Sequence, residues 1–244
     1  MTRYLPLLVG VLVAAVCVRL GVWQLDRLEQ RRDRNRVAAA HLAEPSMTLD
    51  GGAAQSVLVG GPDLYRFRRV TAAGRFDFGR ELVVIGRSDE GRPGVHVVTP
   101  LLIDDSVAVL VERGWLPAAD SRTYDSTQAH EPEQRTVSGV LLQAPARSVT
   151  RSGDPTWPLH VVSPDPTSVA QRFPYAVLPL VLRRTSTPDG TTFEMIPLPE
   201  PTEGPHLSYA LQWFAFATIA LVGSAILFVR RERMSELGDP PHPT

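Results

Sequence analysis

No lysine occurs in this chain; all 25 basic side chains are arginine. They are balanced by 26 acidic residues, so the formal net charge is −1. Without a clear basic excess there is no phosphate-binding surface of the kind a nucleic-acid partner needs. Cysteine is nearly absent as well. The single one, Cys17, lies inside an apolar run. An intramolecular disulfide is therefore excluded, and a domain here must stand on its own core. One buried thiol also cannot supply a dithiolate copper site. Catalytic signatures are missing: there is no Gly-x-Ser-x-Gly elbow, P-loop, HExxH, CxxC or dinucleotide fingerprint. The six histidines, at 41, 96, 130, 160, 206 and 242, are scattered, and none pairs with another at metal-ligand spacing. Paired carboxylates such as Asp89-Glu90 and Asp104-Asp105 sit in turn-like sequence and read as solvated turn formers. No catalytic constellation emerges, and the chain reads as a non-enzyme.

What is present is two long apolar runs. The first covers residues 4–23, interrupted only by Arg19, and continues into an Arg-rich helical stretch to about residue 41. Secretory signal peptides end in a small-residue cleavage site; here the run leads on through Trp23-Gln24-Leu25, so an uncleaved anchor is expected. Trp23 and Arg19 suit the headgroup zone, where Arg snorkels. The second run, residues 207–229, carries no charge. As a helix it is about 34 Å long, enough to cross the hydrocarbon core. Tyr209 and Trp213 mark one end; Arg230, Arg231 and Arg233 mark the other. Two spans place both termini on one side. The arginines after the second span and Arg3 favour cytoplasmic ends, whereas the cluster at Arg27, Arg31, Arg32, Arg34 and Arg36 argues the reverse, so charge alone leaves orientation near a tie. Gly10 with Ala14, and Ala220 with Ser224, have the small-xxx-small spacing that lets membrane helices approach closely.

Between the runs, residues 44–205 read as a strand-rich domain. Residues 44–62 are Pro/Gly-rich and read as a loop. Strand patterns follow at 69–76, 81–87, 95–101 and 107–115; the first two read as a hairpin and all four as an antiparallel meander. Further strands are expected at 135–142, 177–184 and near 192–196, with a short helix at 165–173 capped by Ser163 or Asp165. A Pro-rich linker covers 197–205. The fold class expected is an α+β membrane protein: two transmembrane helices flanking a mainly antiparallel β domain, a sheet or partly closed barrel, with one or two short helices, and a tail at 230–244.

Four blocks carry a family resemblance. They are Leu20-Gly21-Val22-Trp23-Gln24 with Arg27; Tyr65-Arg66-Phe67-Arg68-Arg69-Val70 through Gly74-Arg75-Phe76; Gly86-Arg87-Ser88 through Gly91-Arg92-Pro93-Gly94-Val95-His96-Val97-Val98-Thr99-Pro100 and on to Val111-Glu112-Arg113-Gly114-Trp115-Leu116-Pro117; and Pro205-His206-Leu207-Ser208-Tyr209-Ala210-Leu211-Gln212-Trp213-Phe214-Ala215. Together they make the chain similar to the surfeit locus protein 1 family, the assembly factors of haem–copper cytochrome oxidase. Residues 123–201 match only loosely, and family members often carry Asn where this chain has Gly204.

The resemblance implies a bacterial cell-membrane protein with a periplasmic central domain and both termini cytoplasmic, which resolves the charge tie. It implies assembly of cytochrome c oxidase, as a factor or accessory subunit acting on the catalytic subunit and its haem insertion, with association to a respiratory supercomplex as a further expectation. The alternative is a haem-transfer protein using His206 as an iron ligand, with Tyr209 and Trp213 lining the macrocycle; haem would be transient, and no other metal is expected. The distant alternative is a membrane-anchored periplasmic enzyme. Partner contacts are expected from Trp213, Phe216 and Gln212 on the second span. Arg113 is a further candidate, either for a haem propionate or a partner carboxylate, or as a brace within the sheet. His96, in mid-strand, reads as a satisfied sheet histidine rather than a ligand.

Overall fold

The computed structural model describes residues 4–123, 125–129, 131–146, 156–188 and 191–237. Arg3, His130, His242 and the end of the tail beyond residue 237 lie outside these. The chain divides into two compact units, one of residues 1–37 with 201–244 and one of residues 38–200.

In the first unit, helix α1 (Leu5–Ala43, whose last turns belong to the second unit) runs antiparallel to helix α4 (His206–Leu237). Gly10 faces Ser224 and Ala220, Gly21 faces the Phe214 ring, and Tyr4 stacks on Phe228 at 5.7 Å. Within this unit the buried positions of α1 are Gly10, Ala14, Cys17, Gly21 and Leu28; those of α4, among the described residues, are Ala210, Ala217 and Ser224. Alternating steps of four and three residues, or steps of seven, hold one narrow seam against a neighbouring helix. The opposite faces expose Leu8, Leu12 and Val16 on α1, and Leu211, Ile219 and Leu227 on α4. Both helices are long and apolar enough to cross a membrane. An apolar exterior around a small-residue seam is what lipid allows, because the tails offer no hydrophobic drive and association rests on close packing.

The second unit is built on one eight-stranded sheet. Its strands are β1 (Met47–Thr48), β2 (Arg69–Phe76), β3 (Leu82–Asp89), β4 (Arg92–Leu102), β5 (Val107–Pro117), β6 (Gln134–Leu142), β7 (Leu159–Val161) and β8 (Ala176–Arg184). Their order is β1-β2-β6-β8-β5-β4-β3-β7, and β2 also pairs with β4 through Arg75↔Leu102 and Phe76↔Leu101. That pairing closes β2, β6, β8, β5 and β4 into a ring, a partly closed barrel. Most pairs are antiparallel, but β1–β2, β3–β7 and β5–β8 are parallel.

Alternating side chains of these strands fill the ring. Val70, Ala72, Leu101, Val107, Val109, Val111, Val137, Leu141, Leu178, Leu180 and Leu182 form one cluster, joined by Ala54 and Val57 of helix α2 (Gly51–Gly60). A second cluster, including Val84, Val98, Leu110, Val161 and Val181, covers the outer face under helix α3 (Pro166–Val169), whose N-cap is Asp165. Strand β5 is buried on both faces along its length, ending only at Pro117.

Three expectations are corrected here. Strands β2 and β3 are not a hairpin: β2 lies between β1 and β6, while β3 pairs with β4 and β7. Proximity in sequence favoured the hairpin, but Phe76 and Arg75 are needed to close the ring on β4. Residues 44–62 are not simply a loop. They hold β1 and α2, and the Asp50 side chain accepts the Ala53 N–H as an N-cap. The glycines at 51 and 52 lower helix propensity, yet burial of Ala54 and Val57 against the ring outweighs it. The strand expected near 192–196 is reduced to a single bridge between Glu194 and Trp115.

Candidate functional site

Strand β5 carries a bulge at the middle of the third sequence block. Glu112 pairs with Val98 and Gly114 with Val97, leaving Arg113 as the extra residue. A bulge bends the strand and re-aims the unpaired side chain. Arg113 turns inward and its side chain is wholly buried. Its Nη1 donates to Glu81 Oε1 at 2.9 Å, its Nε donates to Glu131 Oε1 at 3.3 Å, and its Nη2 donates to the Ala129 carbonyl. The guanidinium lies over Phe193 at 4.7 Å and Phe76 at 5.4 Å. Glu131 also accepts from Arg184 Nη1 at 2.9 Å, and Thr99 donates to Glu81 at 2.6 Å. Buried charge persists only when paired and hydrogen-bonded, and this network meets that condition for Arg113. Arg113 is therefore a brace of the ring and is not presented to a partner.

The neighbouring residue points the other way. Glu112 Oε1 meets His96 Nδ1 at 2.8 Å, and Glu112 Oε2 accepts from Arg183 Nε at 2.7 Å. His96 is thus satisfied by a carboxylate across the β4–β5 ladder. Burial is the largest single influence on the Glu112 carboxyl and pushes its pKa up, but the His96 hydrogen bond and the Arg183 charge together outweigh it and hold the group below its ordinary 4.5. A depressed carboxylate contributes stability that is present above pH 4.5 and is lost as pH falls through the folded-state value. Glu112→Gln should therefore cost about 1–3 kcal/mol near neutral pH, by leaving the partly buried Arg183 without its charge partner. The gap from the parent chain should narrow below pH 4.5. Urea denaturation of the detergent-solubilised chain across a pH series reads this directly, and a gap independent of pH would contradict the assignment.

In the helical unit, His206 is the first residue of α4. Its Nδ1 lies 2.9 Å from Gln24 Oε1 on α1. In the tautomer that donates from Nδ1 to that oxygen, the lone pair lies on Nε2. Gln24 comes from the first sequence block and His206 from the fourth, so two segments 182 residues apart meet through one hydrogen bond. Gly204 explains the departure from the family pattern. Its φ is +70°, the left-handed region that Gly and Asn both tolerate, so either residue serves the turn. The same segment is pinned by Arg32, whose Nε and Nη2 donate to Glu203 at 2.8 and 3.0 Å, and by Asn35 donating to the Thr202 carbonyl.

The other residues expected on α4 separate. Trp213 packs against the seam cluster of Ala14, Cys17 and Ala217, and meets Phe216 edge-on at 5.9 Å. Tyr209, Gln212 and Phe216 are exposed. The structure thus brings His206 to Gln24 and places Trp213 in helix packing, with Tyr209 on the outer surface. Sequence reasoning missed Glu81, Glu112, Glu131, Arg183 and Arg184. The signal available was Glu112-Arg113 inside an otherwise apolar strand, since charged residues in a doubly covered strand require partners elsewhere.

These features define a class: a two-span membrane protein whose spans bracket, in sequence, a ring-closed mixed β domain with a buried arginine–glutamate brace. The model of the SURF1 family matches residues 11–218, and the chain belongs to that family. It is 25% identical over 252 residues to a SURF1-like protein of Monosiga brevicollis, covering 94% of this chain and 90% of that one. It is 26% identical over 137 residues to a SURF1-like protein of Rickettsia felis, covering 55% of this chain and 56% of the relative. It is 28% identical over 135 residues to the cytochrome oxidase assembly protein SHY1 of Saccharomyces cerevisiae, covering 52% of this chain and 33% of the relative. The chain thus spans about half the length, or less, of several curated relatives it matches.

Proposed function

We propose that this chain is an assembly factor or accessory subunit of haem–copper cytochrome c oxidase, acting without catalysis on the oxidase catalytic subunit. The observation that carries this reading is the family match over residues 11–218, together with similarity to a yeast protein named for oxidase assembly. Two membrane anchors would raise the effective concentration of the β domain beside an integral partner, and the exposed Phe216 and Gln212 are free to meet that partner's helices. Deleting the gene should lower oxidase activity and haem content, and an affinity tag on the chain should recover the catalytic subunit. A stoichiometric yield marks an accessory subunit and a substoichiometric one a transient factor; unchanged oxidase after deletion sinks both.

The orientation in this reading puts the β domain in the periplasm and both termini in the cytoplasm of a bacterial cell. An impermeant thiol reagent should label a cysteine placed at Ser56 in intact cells and spare one placed at Arg233. The reverse pattern would refute the topology.

A second reading concerns haem as cargo. The Gln24 contact to His206 Nδ1 favours it, because a ligating imidazole needs its other nitrogen held by a neighbour. His206 would supply one axial nitrogen, and Gln24 would fix the ring. The part played by Trp213 in helix packing limits what it contributes to a macrocycle. Purified chain carrying haem that is lost in both His206→Ala and Gln24→Ala, with copurification of the oxidase retained, would support coordination. Retained haem in His206→Ala would exclude it.

A further inference from the structure

A cavity of about 430 Å³ opens on the outer face of the sheet domain, beside the His96–Glu112–Arg183 chain. Its size falls within the range of small-molecule sites, roughly 300–1,000 Å³. The lining charges are uneven. Arg66, Arg87 and Arg183 face a single carboxylate, Glu112, which is already occupied by Arg183 and His96. Arg66 has one exposed partner outside this set, Asp63 at 3.3 Å. The remaining wall is largely apolar, including Phe67, Leu142 and Val181.

Two of the arginines are incompletely satisfied. The Nε atoms of Arg66 and Arg87 are buried and have no hydrogen-bond acceptor. Arg87 donates through Nη2 to the Val162 carbonyl at 2.8 Å, which fixes the guanidinium but uses one donor of five. Guanidinium groups held in place with donors to spare match the planar oxygens of carboxylates and phosphates. A metal is a poor occupant: no group of three or more ligating side chains occurs among the described residues, and guanidinium repels cations.

We propose that this cavity binds an anionic amphiphile, a small molecule carrying one carboxylate or phosphate head on an apolar body. Arg66 and Arg87 take the head, Arg183 stays tethered by Glu112, and the apolar wall receives the tail. The site is independent of His206 and of the oxidase reading.

The test uses the full chain in neutral detergent, with octyl phosphate as probe and inorganic phosphate and octanol as head-only and tail-only controls, followed by calorimetry. Octyl phosphate should bind at least tenfold more tightly than either control. Arg66→Gln and Arg87→Gln should each weaken it about tenfold, the effect of one charge-assisted hydrogen bond. Arg92→Gln, outside the cavity, should leave it unchanged. Equal affinity for octyl phosphate and octanol, absent saturation, or indifference to both arginine variants would overturn the proposal. Should the variants fail to fold, the parent chain still decides: octyl phosphate should protect Arg66 and Arg87 from phenylglyoxal, mapped by mass spectrometry, and no protection overturns the site. Two sources share this chemistry. Phosphatidylglycerol retained from nanodiscs by the parent chain and lost in the double arginine variant identifies a lipid headgroup. Octyl phosphate binding without lipid retention identifies a free anion.

Discussion

Replacing Glu131 with alanine is expected to destabilise the β domain by about 3–5 kcal/mol, the cost of leaving buried charge unpaired. Glu131 is 2% exposed and receives Arg113 Nε at 3.3 Å and Arg184 Nη1 at 2.9 Å. Arg135 Nε lies 3.4 Å from its other oxygen. With the carboxylate gone, Arg113 retains Glu81 and its aromatic neighbours, but Arg184 loses the hydrogen-bonded anion that offsets its burial. Burial already holds the Arg184 pKa below its ordinary value, with Glu131 acting against that shift. A loss of this size is a large share of the 5–15 kcal/mol that a domain commonly has. Urea denaturation followed by tryptophan fluorescence gives the number. A loss under about 1 kcal/mol would mean that the network is solvated and not a buried brace. Replacing Glu131 and Arg184 together with apolar residues of similar volume should recover part of the loss, because Arg113 keeps Glu81 while the desolvation of Arg184 is removed along with its attraction.

The second large effect is expected in the helix pair. A Cβ added at Gly10 would sit 2.2 Å from Ser224 Oγ and 2.3 Å from Ser224 Cβ, with the Ala220 carbonyl at 3.0 Å. One of these neighbours is backbone, so the overlap cannot be relieved by a rotamer change alone. Gly10→Leu must push the helices apart, at a cost of about 1–3 kcal/mol. The chain offers a clean readout because Cys17 is its only cysteine and lies in the seam cluster with Ala217. Ala217→Cys should form an intramolecular disulfide with Cys17 on mild oxidation, seen as two fragments that stay joined after cleavage within the β domain. Adding Gly10→Leu should remove most of that cross-link while both helices remain in the membrane. Undiminished cross-linking would show that close approach at Gly10 does not set the packing.

How far the sequence could be read depended on whether a residue's neighbours were close along the chain. Two uncharged runs of sufficient length leave few alternatives to spanning helices, since backbone polar groups in lipid must be satisfied within the segment. Strands β2, β3, β4, β5, β6 and β8 were legible because alternation and the turns at 77–80, 88–94 and 104–105 are local signals. Gly10, Ala14, Ala220 and Ser224 were legible by spacing, though only the structure set Gly10 against Ser224. His206 was legible as a residue; Gln24, which fixes one ring nitrogen, was not, because its distance along the chain carries no pattern.

The sequence by itself determined the class: anchors, a strand-rich middle and, through four blocks in order, a family. Tertiary structure alone decided which strands pair, that β2 closes on β4 rather than on β3, and that residues 51–60 form a helix despite their glycines. It also decided the fate of each charge in Glu112-Arg113. Adjacent residues on a strand face opposite sides, and the bulge at Arg113 sends one guanidinium into the ring while Glu112 turns outward to His96 and Arg183. The physical reason is the same in each case. Periodicity reports which residues are buried, but the partner that makes a buried charge affordable comes from a distant segment, and only folding brings it there.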